Sequence, residues 1–341
     1  METNSKELYK NINRNEGVGI LDSDFNPRYE SLETKKKLTK IQQLVKTLKK
    51  DWMLYALVIP LIIWYIAFLY KPMYGLQIAF KKFSIFRGIS GSPWVGFDNF
   101  REFMGSPYFL RSLKNTFLIS FTSLIVGFPI PIILALMFNE VKNEIYKRGV
   151  QTLTYLPHFI SVVVIAGIVK NFLAPSNGII NILISMIGLE KTYFLTKPEW
   201  FRSIYIGTNI WKEAGFGSIV YIAALAGVNP SLYEASRIDG ASRLQQIWHV
   251  SIPGILPTIV IMFIMRIGKL LDVGYELILL LYQPATYETA DVLSTYIYRT
   301  GLQSARYDIA TAAGLFNAII GFTLVFLANR LSKKLTETSL W

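Results

Sequence analysis

The chain has 341 residues, of which 52% are hydrophobic and only 17% charged, against about a quarter charged in ordinary soluble domains, so it reads as a membrane protein. Thirty-five Lys and Arg against 23 Asp and Glu give a net charge of +12, but the basic residues flank apolar runs and form no aromatic-interleaved patch, which excludes a nucleic-acid binder and marks them as topology signals. The absence of cysteine excludes disulfides, thiolate metal sites and cysteine catalysis.

Residues 1–50 form a polar, basic tail. No apolar stretch with a small-residue cleavage site follows the opening charges, so no signal peptide is expected. Seven lysines lie between Lys35 and Lys50, with Leu38, Ile41, Val45 and Leu48 on one helical face. That pattern fits an interfacial amphipathic helix, but a basic flank that holds this end in the cytoplasm suffices to explain it.

A transmembrane domain is expected over 51–341. A spanning helix needs about twenty apolar residues to cross roughly 30 Å of hydrocarbon. Six segments meet that need: Trp52 to Tyr70, Asn115 to Phe138 with Pro129 and Pro131 inside, Val150 to Leu173, Ile204 to Val228, Val250 to Leu271 with a longer reading to Leu281, and Ile309 to Leu327. The fold class is therefore all-α with six transmembrane helices, and an even count puts both termini on one side. Lys142, Lys147 and Arg148, then Arg237 and Arg243, then Arg330, Lys333 and Lys334 share the face of the opening lysines, which the positive-inside rule makes cytoplasmic. The 71–114 segment carries seven basic residues on the opposite, extracellular face and cuts against the rule; it is rich in Gly, Pro and aromatics and is expected to fold as a structured loop.

Ionisable residues within spans mark pathways, because a charge in hydrocarbon costs several kcal/mol unless it faces a cavity or a partner. Lys212 and Glu213 fall near the middle of the fourth span beside Asn209 and Trp211. They are expected either to face the pathway, to neutralise each other, or to pair with Arg266, Lys269, Asp272 or Glu276 of the fifth segment. A straight helix over Val250 to Leu281 would run roughly 50 Å at about 1.5 Å per residue. Gly254, Pro257, Gly268 and Gly274 give it places to break, as helices do around transporter sites. Trp211, Tyr221 and Tyr275 are candidates to stack on sugar rings, although aromatics within spans commonly serve packing alone. His158 and His249 lack metal-ligand spacing, so no metal site is expected and both read as packed residues. No G-x-x-x-x-G-K-[ST] phosphate loop occurs, so energy has to come from a partner.

The island between the fourth and fifth spans, 229–249, places Leu232, Ala235, Ile238, Ala241, Leu244 and Ile247/Trp248 at helical spacing. Ser231 with Glu234 reads as a capping box that starts a helix, and Asp239-Gly240 as a turn before a second short helix. Its apolar face has to be buried in the protein, in lipid or in a partner.

Glu234-Ala235-Ser236, Asp239-Gly240-Ala241, Ile252-Pro253 and Pro257 resemble the EAA loop of permease subunits of binding-protein-dependent ABC importers, with Ser236 and Ile252 in place of Ala and Leu. The resemblance extends through SPWVGFDNFREF (92–103), NTFLIS (115–120), the 208–242 run, TYETADVLSTYIYRTGL (286–302) and LTETSLW (335–341), and is to the polysaccharide and multisugar, maltose-permease-like branch. It implies a type I importer permease in a bacterial plasma membrane, with Glu234, Ala235, Ser236, Arg237, Asp239, Gly240, Ala241 and Leu244 contacting an ATPase. The implied partners are a second related permease, two ATPase subunits that hold ATP and Mg, an extracellular solute-binding protein of lipoprotein type, and an oligosaccharide. The chain itself is expected to bind no cofactor and to catalyse no reaction. An amino-acid or anion importer and an ion-coupled secondary transporter are the other readings; Lys212, Arg266 and Lys269 keep anions, acidic sugars among them, open.

Overall fold

A computed structural model describes residues 49–336, and the expected amphipathic helix over the opening lysines falls almost wholly outside them. Among the described residues the chain is helical, and its sole strand-like contact is an isolated antiparallel pairing of Lys81 with Trp94. Four helical runs are long and apolar enough to span a membrane, Trp52–Phe80, Pro107–Glu140, Arg243–Gly268 and Tyr307–Lys334, and two bent pairs bring the count to six if each is one span.

The chain divides into a unit ending at Ile66 and a second from Ala67 onward. Within the first, α1 (Trp52–Tyr65) is apolar all round and exposed, as a lipid-facing helix is, and it tolerates Pro60 in its interior.

In the second unit the loop after the first span is shorter than expected. Helix α2 (Pro107–Gly127) begins eight residues before Asn115, because the Ser106 hydroxyl accepts from the Tyr108 N–H and Pro107, which lacks an N–H, suits the first helical position. The loop is ordered by Asn99, which donates to the carbonyls of Ala79 and Lys81 at 2.9 Å each, and by Phe80 stacked on Trp94. The next helix, α3 (Pro129–Glu140), continues the span past a break at Phe128.

The third span is not the straight helix expected from 150 to 173. Helix α4 (Glu144–Tyr155) leads into a tight turn over Leu156–Phe159, and α5 (Val162–Phe172) leaves at an angle of 105°. Pro157 cannot donate a helical hydrogen bond, Ile160 is extended, and Ser161 caps the new helix by accepting from the Val164 N–H. The bend turns His158 into the protein.

Helix α6 (Pro198–Ala226) is 29 residues long. One glycine lets another segment approach it closely: a Cβ on Gly215 would sit 2.0 Å from the Thr154 carbonyl oxygen. The main core gathers beside its first half, with Ile165, Phe201, Tyr205, Ile278, Leu281 and Val292 all buried.

The long fifth segment breaks within the polar run after Arg266, at two of the four places offered by its sequence. Helix α9 (Ile252–Gly268), numbered after two short helices described below, runs straight through Pro257 and ends at Gly268; residues 269–274 are not helical, and α10 (Tyr275–Leu281) restarts after Gly274. Gly254 and Pro257 therefore do not break it. The break falls where polar Lys269 and Asp272 would otherwise continue an apolar helix, so no 50 Å rod forms. After α11 (Leu293–Tyr298), α12 (Tyr307–Thr336) forms the last span and outlasts the expected Ile309 to Leu327 at both ends.

Gly215→Ala is expected to destabilise the detergent-solubilised protein by about 1–3 kcal/mol, because backbone and not a flexible side chain blocks the new methyl group. Gly207→Ala, on the same helix with open space at its Cβ, should leave the thermal midpoint unchanged, and equal midpoints for both variants would refute the close-packing argument.

Candidate functional site

Two regions gather the residues singled out by sequence. The first is the island between α6 and α9. Helix α7 (Pro230–Ile238) leaves the end of α6 at 73°. Its cap is not the expected Ser231 and Glu234 pair: Asn229 accepts from the Ser231 N–H at 3.0 Å and Pro230 takes the first helical position. The helix ends at Asp239, and Gly240 adopts φ +78, which a residue with a Cβ resists. Gly240 N–H donates to Arg237 C=O and Ala241 N–H to Ser236 C=O, the paired bonds of a Schellman motif. Ser242 then starts α8 (Arg243–Gln246) with a full capping box to Gln245. A single wide turn, Ile247–Ser251, joins α8 to α9.

The island is thus a helix, a turn and a helix, as expected, and its second helix is continuous with the fifth span. Tyr233 OH and Ser251 Oγ, 3.0 Å apart, tie its two halves together. Glu234, Ala235, Arg237, Asp239, Gly240 and Leu244 are exposed, while Ser236 and Ala241 are half-buried. Ile238 is 87% and Leu244 70% exposed, and Leu232 and Trp248 are exposed too. Of the apolar face that amphipathic spacing required to be buried, Ile247 packs inside the chain, while Leu232, Ile238, Leu244 and Trp248 are left uncovered.

The second region is a cleft between α2, α6 and α9. It has two lobes of about 180 Å³ each, which share Ser123, Asn209, Glu213 and Arg266 in their walls. Tyr221 lines one lobe, Lys269 and Asp272 the other. Of the ten sequence candidates, Asn209, Glu213, Tyr221, Arg266, Lys269 and Asp272 therefore come together. Trp211 does not: two residues from Glu213 means about 200° around the helix, and it lines a separate apolar groove with Val169 and Phe172. Tyr275 stacks on Tyr298 with ring centroids 5.6 Å apart, and neither it nor Glu276 lines the cleft.

Lys212 and Glu213 neutralise each other. The ammonium reaches across to the neighbouring carboxylate, and the lysine side chain is 16% exposed. The other carboxylate oxygen takes a hydrogen bond at 2.8 Å from Nδ1 of His158, whose ring lies flat on Phe216 at 3.9 Å. A carboxylate can only accept, so Nδ1 carries the proton. His158 is packed and hydrogen-bonded, as expected, but its link to Glu213 could not be read from residues 55 apart; the Pro157 bend that delivers it was the one local signal.

Sequence reading also missed a clamp that joins α2 and α6 to the 287–303 stretch before the last span. Asp291, with a fully buried side chain, accepts two hydrogen bonds from Arg299 at 2.8 and 2.9 Å, one from Arg111 at 2.9 Å and one from Thr295. Asn115 donates to the carbonyls of Glu288 and Asp291 and accepts from Arg202. Burial pushes the Asp291 carboxyl up, but the bonds from Arg299, Thr295 and Arg111 outweigh it and hold the group below the usual carboxylate range.

Residues 127–337 match the family model described as binding-protein-dependent transport system inner membrane component. The polygalacturonan/rhamnogalacturonan transport system permease protein YteP of Bacillus subtilis (strain 168) is 42% identical over 306 residues, covering 90% of this chain and 95% of that protein. A crystal structure of a bacterial ABC transporter involved in the import of the acidic polysaccharide alginate contains a chain 56% identical, with a TM-score of 0.81, covering 86% of this chain and 99% of that one. A second, of the bacterial alginate ABC transporter in complex with an alginate pentasaccharide-bound periplasmic protein, matches at 55% identity and the same TM-score, over 87% and 100%.

Asp291→Asn is expected to destabilise the protein by about 3–5 kcal/mol, because it leaves two guanidinium groups without a counter-charge. The sign of the pH dependence follows from the lowered folded-state value. The carboxylate stabilises the fold above the unfolded pKa of about 4 and loses that effect as pH falls through its lower folded value, so thermal midpoints of the wild type should drop in that acidic window while those of the variant change less. Parallel pH profiles would count against the clamp.

Proposed function

The chain belongs to the binding-protein-dependent transport system inner membrane components, and from that premise we propose that it is the permease subunit of an ATP-driven importer of acidic oligosaccharides. It is a transport subunit and not an enzyme. The observation that carries the substrate class is the 56% identity, along nearly the whole length, with a permease of an importer of the acidic polysaccharide alginate, seconded by the polygalacturonan permease. The cations Arg266 and Lys269 in the cleft wall agree with an anionic cargo.

In this reading the chain sits multi-pass in a bacterial cell membrane with both termini in the cytoplasm. It pairs with a second, related permease and with two ATPase subunits, which carry the ATP and Mg, and it receives sugar from an extracellular solute-binding protein, of lipoprotein type where the cell has no outer membrane.

The mechanical argument starts from the island. Its exposed Ile238 and Leu244, with Glu234, Arg237 and Asp239 around them, form the surface that an ATPase groove would cover. Because α7 follows α6 through a three-residue link and α8 is continuous with α9, a push on the island is delivered to the two helices that carry Asn209, Glu213 and Arg266. ATP-driven closure of the ATPases would tilt α6 against α9 and change which side the cleft opens toward. Asn209 and Tyr221 would offer hydrogen bonds and an aromatic face to sugar, and no covalent bond of the sugar would change. An ion-coupled secondary transporter would need an intramembrane carboxylate free to exchange a cation, and Glu213 is already held by Lys212 and His158.

Purification in mild detergent from native membranes, followed by mass spectrometry and an ATPase assay, should recover a nucleotide-binding subunit and a second permease, with hydrolysis stimulated by sugar-loaded binding protein. A lone chain would overturn the importer reading. Glu234→Lys and Gly240→Pro should insert normally and lower uptake at least tenfold; ATPase recovery and uptake equal to wild type in both would remove the island from the coupling role.

A further inference from the structure

We propose that Arg266 is the residue that reads the carboxylate of an acidic sugar, and that His158 and Lys212 are positioning residues that hold Glu213 so that it does not cancel Arg266. The inference rests on the reading of the chain as an oligosaccharide permease and assigns the charge selectivity of its cleft to named atoms.

The case is one of charge pairing in a place where bare charges are costly. Five charged side chains belong to the cleft or touch its wall: Lys212, Glu213, Arg266, Lys269 and Asp272. Lys212 and Glu213 form an ion pair. Lys269 and Asp272 share the short non-helical turn after α9, where the Asp272 N–H donates to the Lys269 carbonyl; no ion pair joins their side chains, and their opposite charges sum to zero in the one lobe they line. Arg266 differs from them in reach. Among the described residues it makes no ion pair and no side-chain hydrogen bond, yet it lines both lobes. The cleft therefore carries a net positive charge of one, on a guanidinium whose planar fork matches a carboxylate.

An adjacent free carboxylate would defeat this arrangement, and Glu213 lines the same two lobes. Its oxygens are occupied from the other side, one by the Lys212 ammonium and the other by Nδ1 of His158, which Phe216 holds flat. Remove His158 and one oxygen of Glu213 is released to turn toward Arg266 and compete with the sugar.

The test uses the complete reconstituted transporter in proteoliposomes, with binding protein and ATP, and two probes: tetragalacturonate and the neutral galactose tetramer. Wild type is expected to take up the acid. Arg266→Gln should lower acid uptake at least tenfold, and Arg266→Lys should keep at least a third of wild-type uptake. His158→Ala should lower acid uptake severalfold, and the double variant His158→Ala with Glu213→Gln should recover it, which loss of a purely structural residue would not allow. Unchanged acid uptake in Arg266→Gln, equal loss in Arg266→Gln and Arg266→Lys, or a double variant no better than His158→Ala would each overturn the proposal. Uptake of the neutral tetramer alone would sink the proposal and leave an oligosaccharide importer standing; uptake of neither would remove the oligosaccharide reading itself.

Discussion

A charge placed in hydrocarbon has to be neutralised, and the middle of this protein is arranged around that requirement. Lys212 and Glu213 sit inside a 29-residue helix where either alone would cost several kcal/mol. The pair is tolerable because the lysine folds onto its neighbour and because the chain bends 105° at Leu156–Ser161 to deliver a third polar group, His158. Gly215 serves the same contact: without a Cβ it lets Thr154, at the end of α4, approach the helix backbone, and the turn that carries His158 begins immediately after.

From that helix the structure extends in two directions. Toward one end α6 passes into α7, and a Schellman turn at Gly240 and a capped α8 return the chain to α9. The island is capped and hydrogen-bonded at its turn, and its exposed face is apolar at Ile238 and Leu244. Toward the other end α6 meets α2 and the 287–303 segment through the clamp on Asp291 and Asn115. A lever pinned at one end and pushed at the other carries everything between along with it, and the cleft is in between.

Much of this was legible in the sequence because it rests on local or periodic signals. The spans announce themselves by apolar length, the island by helical spacing and by Gly240, and the break after α9 by Gly268, Gly274 and the polar residues between them. The errors arose where a local rule had a competitor. Ser231 and Glu234 match a capping box, but Asn229 with Pro230 is a better start two residues earlier, and the true box lies at Ser242. Apolar composition over 150–173 could not reveal that Pro157 and Ser161 would split the span. The cleft was half legible: charges inside spans flagged Glu213 and Arg266, but adjacency in sequence wrongly grouped Trp211 with them. The Asp291 clamp was not legible, since its partners lie 8 and 180 residues away and only the fold joins them.

The central claim is that nucleotide acting on the island changes which side the cleft opens toward, and the natural absence of cysteine makes it directly measurable. A single cysteine at Ser123, which lines both lobes, would be labelled with a membrane-impermeant maleimide added separately to each side of the reconstituted transporter, with and without ATP and loaded binding protein. An ATP-driven importer predicts that labelling from the outer side rises and labelling from the inner side falls when nucleotide and binding protein are both present. Labelling from either side that ignores nucleotide would contradict it.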